Sequence, residues 1–257
     1  METLLHNPTE RVTNILKIIA KNSDKLNFSS ISKLTNMPKS TLSPILKTLV
    51  ELEFLVLDPI SQTYSIGLAT FQIGQAYLEN VNGLEIIKSH MRSIVAQCNE
   101  TCQIGINHNN EVLYLTKVEC SLPIKLMSSI GRNLPLYCTG LGRVLLCEYS
   151  EDEIRNLYSN GMNQFTENTV TDIEELLEIV KKAKINKFAE EFGEVTSDAC
   201  CIAVPIMINN KINAAMGVSL PIFRANQEEV LKIKNLLKEH SLLISKELEN
   251  LNIKSII

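Results

Sequence analysis

Nowhere in the 257 residues is there an uncharged apolar run of the ~18 or more needed to span a bilayer, so no membrane segment is expected. The first residues, Met1 to Pro8, lack a basic stretch followed by an apolar core, so no secretory signal is expected either. Gly and Pro are scarce, at 10 and 8 residues, which excludes a low-complexity or collagen-like chain. There is no complete metal-ligand pattern. Cys98 and Cys102 stand four apart, but no second Cys or His pair completes a structural zinc site. Seven cysteines at irregular spacing, without an export signal, read as reduced thiols in the cytoplasm. An excess of positive charge is also missing. Residues 1–70 hold seven Lys/Arg against six Asp/Glu, a net of +1, and the remainder holds 18 against 23, a net of −5. Any nucleic-acid contact must therefore come from individually placed cations and not from a bulk field.

What is present begins with residues 31–49, which read as two short helices joined by a tight turn. Leu42, Ile45, Leu46 and Leu49 fall at i, i+3, i+4, i+7 and make one apolar stripe. Ser40, Ser43 and Lys47 lie on the other side, a small, partly basic face that suits a DNA major groove. Taken alone, the stretch fits an ordinary amphipathic helix pair equally well. Pro44 leaves two geometries open. Either the helix starts at Pro38 and bends at Pro44, or Ser43 caps a helix that begins at Pro44, where the missing N–H costs nothing.

The flanking segments shift the balance. Asn7 reads as the N-cap of a first helix with Pro8 at its first position and Val12, Ile15, Leu16 and Ile19 inward. Ser29 reads as the cap of the second. Residues 54–57 and 63–66 make two short strands around the turn at Asp58-Pro59-Ile60-Ser61-Gln62. Three helices and a hairpin form a winged helix-turn-helix, here residues 1–67. Residues 68–82 read as a linker helix carrying Phe71, Ile73, Tyr77 and Leu78.

From Gly83 to the end the pattern is α+β. A helix is expected over 84–98, then strands over 102–107, 112–118 and 124–129, with a turn at His108-Asn109-Asn110-Glu111. Residues 133–135 read as a loop and 139–147 as a short helix. Ser150 with Glu153 and Thr171 with Glu174 each read as a capping box. Strands follow over 188–194, 201–208 and 212–220, and Asn226 with Glu229 opens a last helix that reaches about Leu251.

These residues resemble the IclR family of bacterial transcriptional regulators over nearly the whole chain. One anchor is Leu34 to Thr41 with the Phe54 to Gly67 hairpin. The other is Gly131 to Arg143, followed by Gly193-Glu194, Cys201 to Pro205 and Gly217 to Pro221. The resemblance implies a DNA-binding regulator, read here as a repressor, with a GAF-like α+β effector-binding domain over residues 83–257. It implies a homodimer or homotetramer on double-stranded operator DNA and a small organic or sugar acid as effector. Carried over position by position, the effector site falls on Gly140, Leu141, Glu191, Cys201, Gly217 and Ser219, with Met127, Cys138 and Thr139 nearby. Gly140 at a helix start offers backbone N–H groups to a carboxylate, and Ser219 offers a hydroxyl. The chain departs from the family at Gly217, where members carry Ser, and at the bulky Leu141.

On the DNA side, Ser43-Pro44 stands where members carry a large polar or basic pair. The wing tip, residues 60–63, has no Arg or Lys. The remaining candidate contacts are Lys33, Lys39, Ser40, Thr41, Ser43 and Lys47, which imply modest, salt-sensitive binding aided by pairing of two heads. Pro44 and the neutral wing motivate a competing reading, a small-molecule sensor whose winged helix makes protein contacts. An enzyme finds little support, because no Cys/His/acid signature occurs and most cysteines lie in apolar runs. No cofactor, metal or catalytic residue is expected.

Overall fold

A computed structural model describes residues 6–22, 26–79, 83–124 and 130–256 of the chain, with the side chains of Leu78 and Glu79 excluded. The chain divides into two compact units, residues 1–81 and 82–257.

The first unit runs α1 (Asn7–Lys21), β1 (Leu26–Asn27), α2 (Phe28–Thr35), α3 (Lys39–Glu51), β2 (Leu55–Leu57), β3 (Thr63–Ile66) and α4 (Leu68–Glu79). Its three strands pair in the order β1-β3-β2, all antiparallel. Ile15, Ile19, Ile31, Leu42, Leu46, Leu49 and Leu55 close one apolar core between the helices and the hairpin. The helix starts differ from expectation. His6, not Asn7, precedes α1, with its ring 2.7 Å from the Thr9 hydroxyl. Asn27, not Ser29, caps α2 by accepting the Ser30 N–H at 2.9 Å, because the chain first pairs as β1 and turns into the helix there. The turn between α2 and α3 needs a left-handed residue, and Asn36 supplies it at φ 53°. Ser32 then fastens the turn by donating its hydroxyl to the Met37 carbonyl at 2.8 Å.

Of the two geometries open at Pro44, the structure takes the first: α3 starts at Lys39 and contains the proline. Pro44 is exposed, so the Ser40 carbonyl that it leaves without an intrahelical donor faces solvent.

The second unit runs α5 (Leu84–Cys98), β4 (Thr101–His108), β5 (Glu111–Val118), β6 (Asn133–Pro135), α6 (Gly140–Leu146), α7 (Glu151–Leu157), α8 (Ile173–Asn186), β7 (Ala189–Phe192), β8 (Ala199–Ile208), β9 (Lys211–Pro221) and α9 (Gln227–Asn250). Six strands form one antiparallel sheet in the order β6-β5-β4-β9-β8-β7. Two hairpins turn on asparagine pairs, Asn109-Asn110 and Asn209-Asn210, all four with positive φ as a tight two-residue turn requires. α5 and α9 pack on the sheet, and α6 packs on β4, β5, β7, β8 and β9.

Strand alternation sorts the side chains. Register pairs Cys201 with Ser219, Ser219 with Thr101, Gln103 with Gly217 and Glu191 with Cys201, so all of these share one face. That is the α6 face, where Leu141, Cys201, Ala203 and Ala215 belong to one core cluster.

Two expectations are corrected here, and a third lies beyond test. Asp172, not Thr171, caps α8, because its carboxylate accepts the Glu175 N–H at 2.9 Å. Residues 133–135 are a strand and not a loop, since Asn133 to Pro135 pair with Glu111 to Leu113. The strand expected over 124–129 falls almost wholly outside the described residues.

A buried ion pair anchors α6. The Arg143 guanidinium donates to the Tyr137 and Glu190 carbonyls and to the Glu194 carboxylate, at 3.0, 2.7 and 2.7 Å. Both charged side chains are nearly fully buried, and such a pair holds only because its remaining donors are also satisfied.

Candidate functional sites

In the first unit the candidate surface is the outer side of α3. Leu42, Leu46 and Leu49 face inward, so the helical period turns Ser40, Ser43 and Lys47 to solvent. Lys39 at the helix start and Lys33 on α2 are exposed too, and Thr41 is half-buried. The wing tip is fixed by Asp58, whose Oδ1 accepts the N–H groups of Ile60 and Ser61 at 2.9 and 3.1 Å. This turn projects Ile60 outward at 94% exposure.

In the second unit a cavity of about 420 Å³ opens on the α6 face of the sheet. That volume suits a small molecule. Of the nine residues expected around an effector, Thr139, Glu191, Cys201 and Ser219 line it. Met127 lies outside the described residues. Cys138 is fully buried in the core.

Gly140, Leu141 and Gly217 are packing positions that do not line the cavity. Leu141 is a fully buried knob set between two glycines of the sheet. A Cβ on Gly217 would come within 2.7 Å of one Leu141 methyl, and a Cβ on Gly105 within 3.1 Å of the other. The side chain at 141 thus fills the space that the missing one at 217 leaves. Gly140 backs onto Cys201, whose carbonyl oxygen lies 3.1 Å from where its Cβ would be.

At the start of α6 the Gly142 N–H donates to Thr139 Oγ1 at 3.0 Å and the Arg143 N–H to the Thr139 carbonyl at 3.0 Å. Among the described residues, the one cationic residue lining the cavity is Arg132, which precedes β6.

Gln103, Tyr114, Arg132, Phe165, Thr196 and Cys200 line the cavity without having been expected there. Gln103 carried a usable signal, a long polar side chain between the apolar Cys102 and Ile104. The others sit where only tertiary folding brings them in.

The electrostatics of the cavity are set by burial. Glu191 accepts the Glu194 N–H at 2.9 Å, yet burial outweighs that bond and pushes its carboxyl up to about 7. Burial also pushes the thiols of Cys138 and Cys200 up to about 12 and raises that of Cys201. These thiols are therefore protonated and poorly nucleophilic, Cys200 and Cys201 in the cavity wall and Cys138 in the core. Among the described residues no group of three or more His, Cys, Asp or Glu is arranged to hold a metal ion. No described helix is long and apolar enough to cross a membrane.

Comparison with known proteins agrees with both halves. Residues 75–246 match the family described as bacterial transcriptional regulator IclR C-terminal, and residues 8–59 match the IclR helix-turn-helix domain. The chain is 28% identical over 232 residues to the HTH-type transcriptional repressor AllR of Escherichia coli K12, covering 90% of this chain and 86% of that one. An IclR transcriptional regulator from Alicyclobacillus acidocaldarius superposes with a TM-score of 0.85 at 20% identity, over 94% of this chain and 98% of the other. An IclR homolog from Microbacterium hydrocarbonoxydans, solved in complex with 4-hydroxybenzoate, superposes with a TM-score of 0.79 at 20% identity, over 94% and 99% of the two chains.

Proposed function

The chain belongs to the IclR family of bacterial transcriptional regulators and is a DNA-binding regulator; on that premise we propose that it is a cytoplasmic repressor released from or locked onto its operator by a small carboxylate effector held in the cavity of the second unit. The observation that carries this reading is the cavity itself, which combines a cation, Arg132, with a buried acid, Glu191, whose carboxyl burial pushes up to about 7, so that about half of it is uncharged at neutral pH. An ionised acid in the wall would repel an anionic ligand. A protonated one instead donates a hydrogen bond to it, while the Arg132 guanidinium supplies the countercharge.

The α3 face reads DNA through Lys39, Ser40, Ser43 and Lys47. Lys33 and Thr41 lie beside it. With so few cations, affinity comes from two heads acting together in a homodimer or homotetramer, and α4, which exposes Leu68, Phe71 and Ile73, is the element suited to pair them. Effector binding biases the equilibrium between arrangements of the paired heads and so the half-site spacing they span.

Fluorescence anisotropy with labelled duplexes from the DNA flanking the gene tests the DNA half. Salt-dependent binding that Lys39→Glu weakens at least tenfold is the expected result. A flat titration, with the effector still bound, would assign the winged helix to protein contacts. A thermal-shift screen of small acids tests the other half: acids that stabilise the wild type and fail with Arg132→Gln support the cavity reading.

A further inference from the structure

Outside the effector cavity, one cluster of titratable side chains bridges two helices. On α9, His240 and Glu247 are seven residues apart, two helical turns, so both face α5. His90 of α5 enters between them. Its Nδ1 lies 2.8 Å from Nδ1 of His240, and its Nε2 lies 3.2 Å from a Glu247 carboxylate oxygen. The two rings meet edge to face, with centroids 5.0 Å apart. His240 is buried, His90 is mostly buried, and Glu247 is half open to solvent.

The surroundings add little charge. On α5, the nearby Lys88 and Arg92 are drawn to Glu85, at 3.0 and 3.6 Å. On α9, Glu239 acts on His240 from the adjoining position, Lys238 sits over the Phe188 ring, and Lys246 is exposed. The sheet face beneath both helices is the one opposite α6. Register sets Cys102, Val218 and Ile202 in one row of it and Ile104, Met216 and Val204 in the next. Burial keeps the Cys102 thiol there, and that of Cys98 at the end of α5, protonated. On β5, Lys117 pairs with Glu119 at 2.6 Å and Glu111 takes the Asn133 amide at 2.9 Å. His108 and Lys211, at the hairpin ends, are exposed.

The proton count sets what the cluster tolerates. The contact between the two Nδ1 atoms is a hydrogen bond only with one proton between them. With both rings neutral, His240 donates to His90, and His90 donates from Nε2 to Glu247. One excess proton is accommodated, because a single proton still lies between the rings and Glu247 supplies the countercharge. A second excess proton sets N–H against N–H and puts two positive charges in one seam, and the contact is lost. Burial, and then the adjacent His90 ring, hold His240 below the usual histidine range, with Glu239 opposing. The open seam therefore takes up protons before the closed one does. The contribution to stability is complete above the usual histidine value of about 6.5 and is lost as pH falls below it.

We propose that His90 and His240 form an acid-sensitive latch, which seats α5 on α9 at neutral pH and releases α5 when both rings are protonated. In the chain α4 ends at Glu79 and α5 begins at Leu84, so the latch acts on the helix by which the second unit is joined to the head. It stands apart from the effector cavity. Glu191 there responds in the opposite direction, because acid gives it the neutral form that burial favours.

The test is amide hydrogen exchange of the full-length protein at about pH 7.5 and about pH 5, corrected for the intrinsic pH dependence of exchange, with the four histidine rings followed by NMR. Exchange from α5 is expected to rise about tenfold in acid, the change that one extra proton on the open state gives per pH unit. Exchange from α8, which packs on α6, α7 and β7, is expected to stay level. In His240→Gln, which keeps a polar side chain but takes no proton, the α5 rise is expected to fall below about twofold. Exchange of α5 that is level between the two pH values, or that rises equally in His240→Gln, overturns the latch. Should His240→Gln fail to fold, the wild-type rings decide, with the exposed His6 and His108 as references. The latch requires the α5 rise to coincide with the second of two successive protonations of His90 and His240, and a rise at any other pH overturns it.

Discussion

The two units keep their polar residues in opposite places. In the head, the buried side chains among the described residues are apolar: Ile15, Ile19, Ile31, Met37, Leu42, Leu46, Leu49 and Leu55. In the second unit the interior also takes in Glu100, Gln103, Arg143, Glu191, Glu194, Ser219 and His240. A recognition surface for DNA needs only a stable scaffold with its contacts outside. A cavity for a small polar ligand needs polar groups where water is excluded, and each must be paired or held ready. The head's function is thus written on its surface, and the second unit's function in its interior. Substitutions should act accordingly: interior polar changes in the second unit change stability, and surface changes in the head cost or improve DNA affinity at constant stability.

The sharpest break of that contrast is Arg143→Met. It removes the cation and leaves the Glu194 carboxylate buried without its partner, a loss of about 3–5 kcal/mol. Thermal unfolding should show a large fall in the melting temperature, and combining it with Glu194→Met should recover much of the loss. No recovery in the double variant would mean the pair is packing and not electrostatics.

Next in size is the pH response of Glu191. Its folded pKa lies near 7, above the carboxylate value of 4.5, so the unfolded chain releases this proton first as pH rises. The neutral carboxyl contributes no penalty below about pH 4.5. The penalty grows between about 4.5 and 7 and is complete above 7, at roughly 3 kcal/mol. Glu191→Gln should remove this slope, leaving the variant more stable than the wild type at pH 8 and comparable at pH 4.5. Carboxylate affinity of the wild type should likewise fall as pH rises through 7, while that of Glu191→Gln stays level. A wild type with identical stability at pH 5 and 8 relative to the variant would place the charge elsewhere.

Smaller again is the knob between two glycines. Gly217→Ser pushes an atom into the Leu141 methyl and should cost about 1–3 kcal/mol. In a Leu141→Ala background the same change should cost less than half as much, a non-additivity visible in a double-mutant cycle. Additive effects would show that residues 141 and 217 are not filling one space.

This compensation also explains what could be read from the chain beforehand. The head was legible to the level of elements, because its helix period, its proline-bounded turn and its hairpin are local patterns. Asn27 and β1 were missed because a two-residue strand has no period. In the second unit the asparagine turns and long strands were legible, and so were Thr139, Glu191, Cys201 and Ser219 as candidates. That Leu141 and Gly217 fill one space was not legible, because it emerges only once α6 packs on the sheet. Arg132 and Phe165 reach the cavity from loops, and loops carry no periodicity that says where they end.

The finest distinction between the two units is made at the wing. Ile60 is 94% exposed at its tip, and no core contact depends on it. Ile60→Lys should therefore leave the unfolding free energy within about 0.5 kcal/mol of the wild type. If the wing lies along the DNA backbone, the new ammonium neutralises one phosphate per head. The slope of log affinity against log salt should then steepen by about 0.9 per head, with affinity rising severalfold at low salt and little at high salt. An unchanged slope would take the wing away from the duplex and leave α3 as the head's only reader. A changed slope with unchanged stability would show a functional surface that carries none of the fold's free energy, the reverse of the arrangement around Glu191.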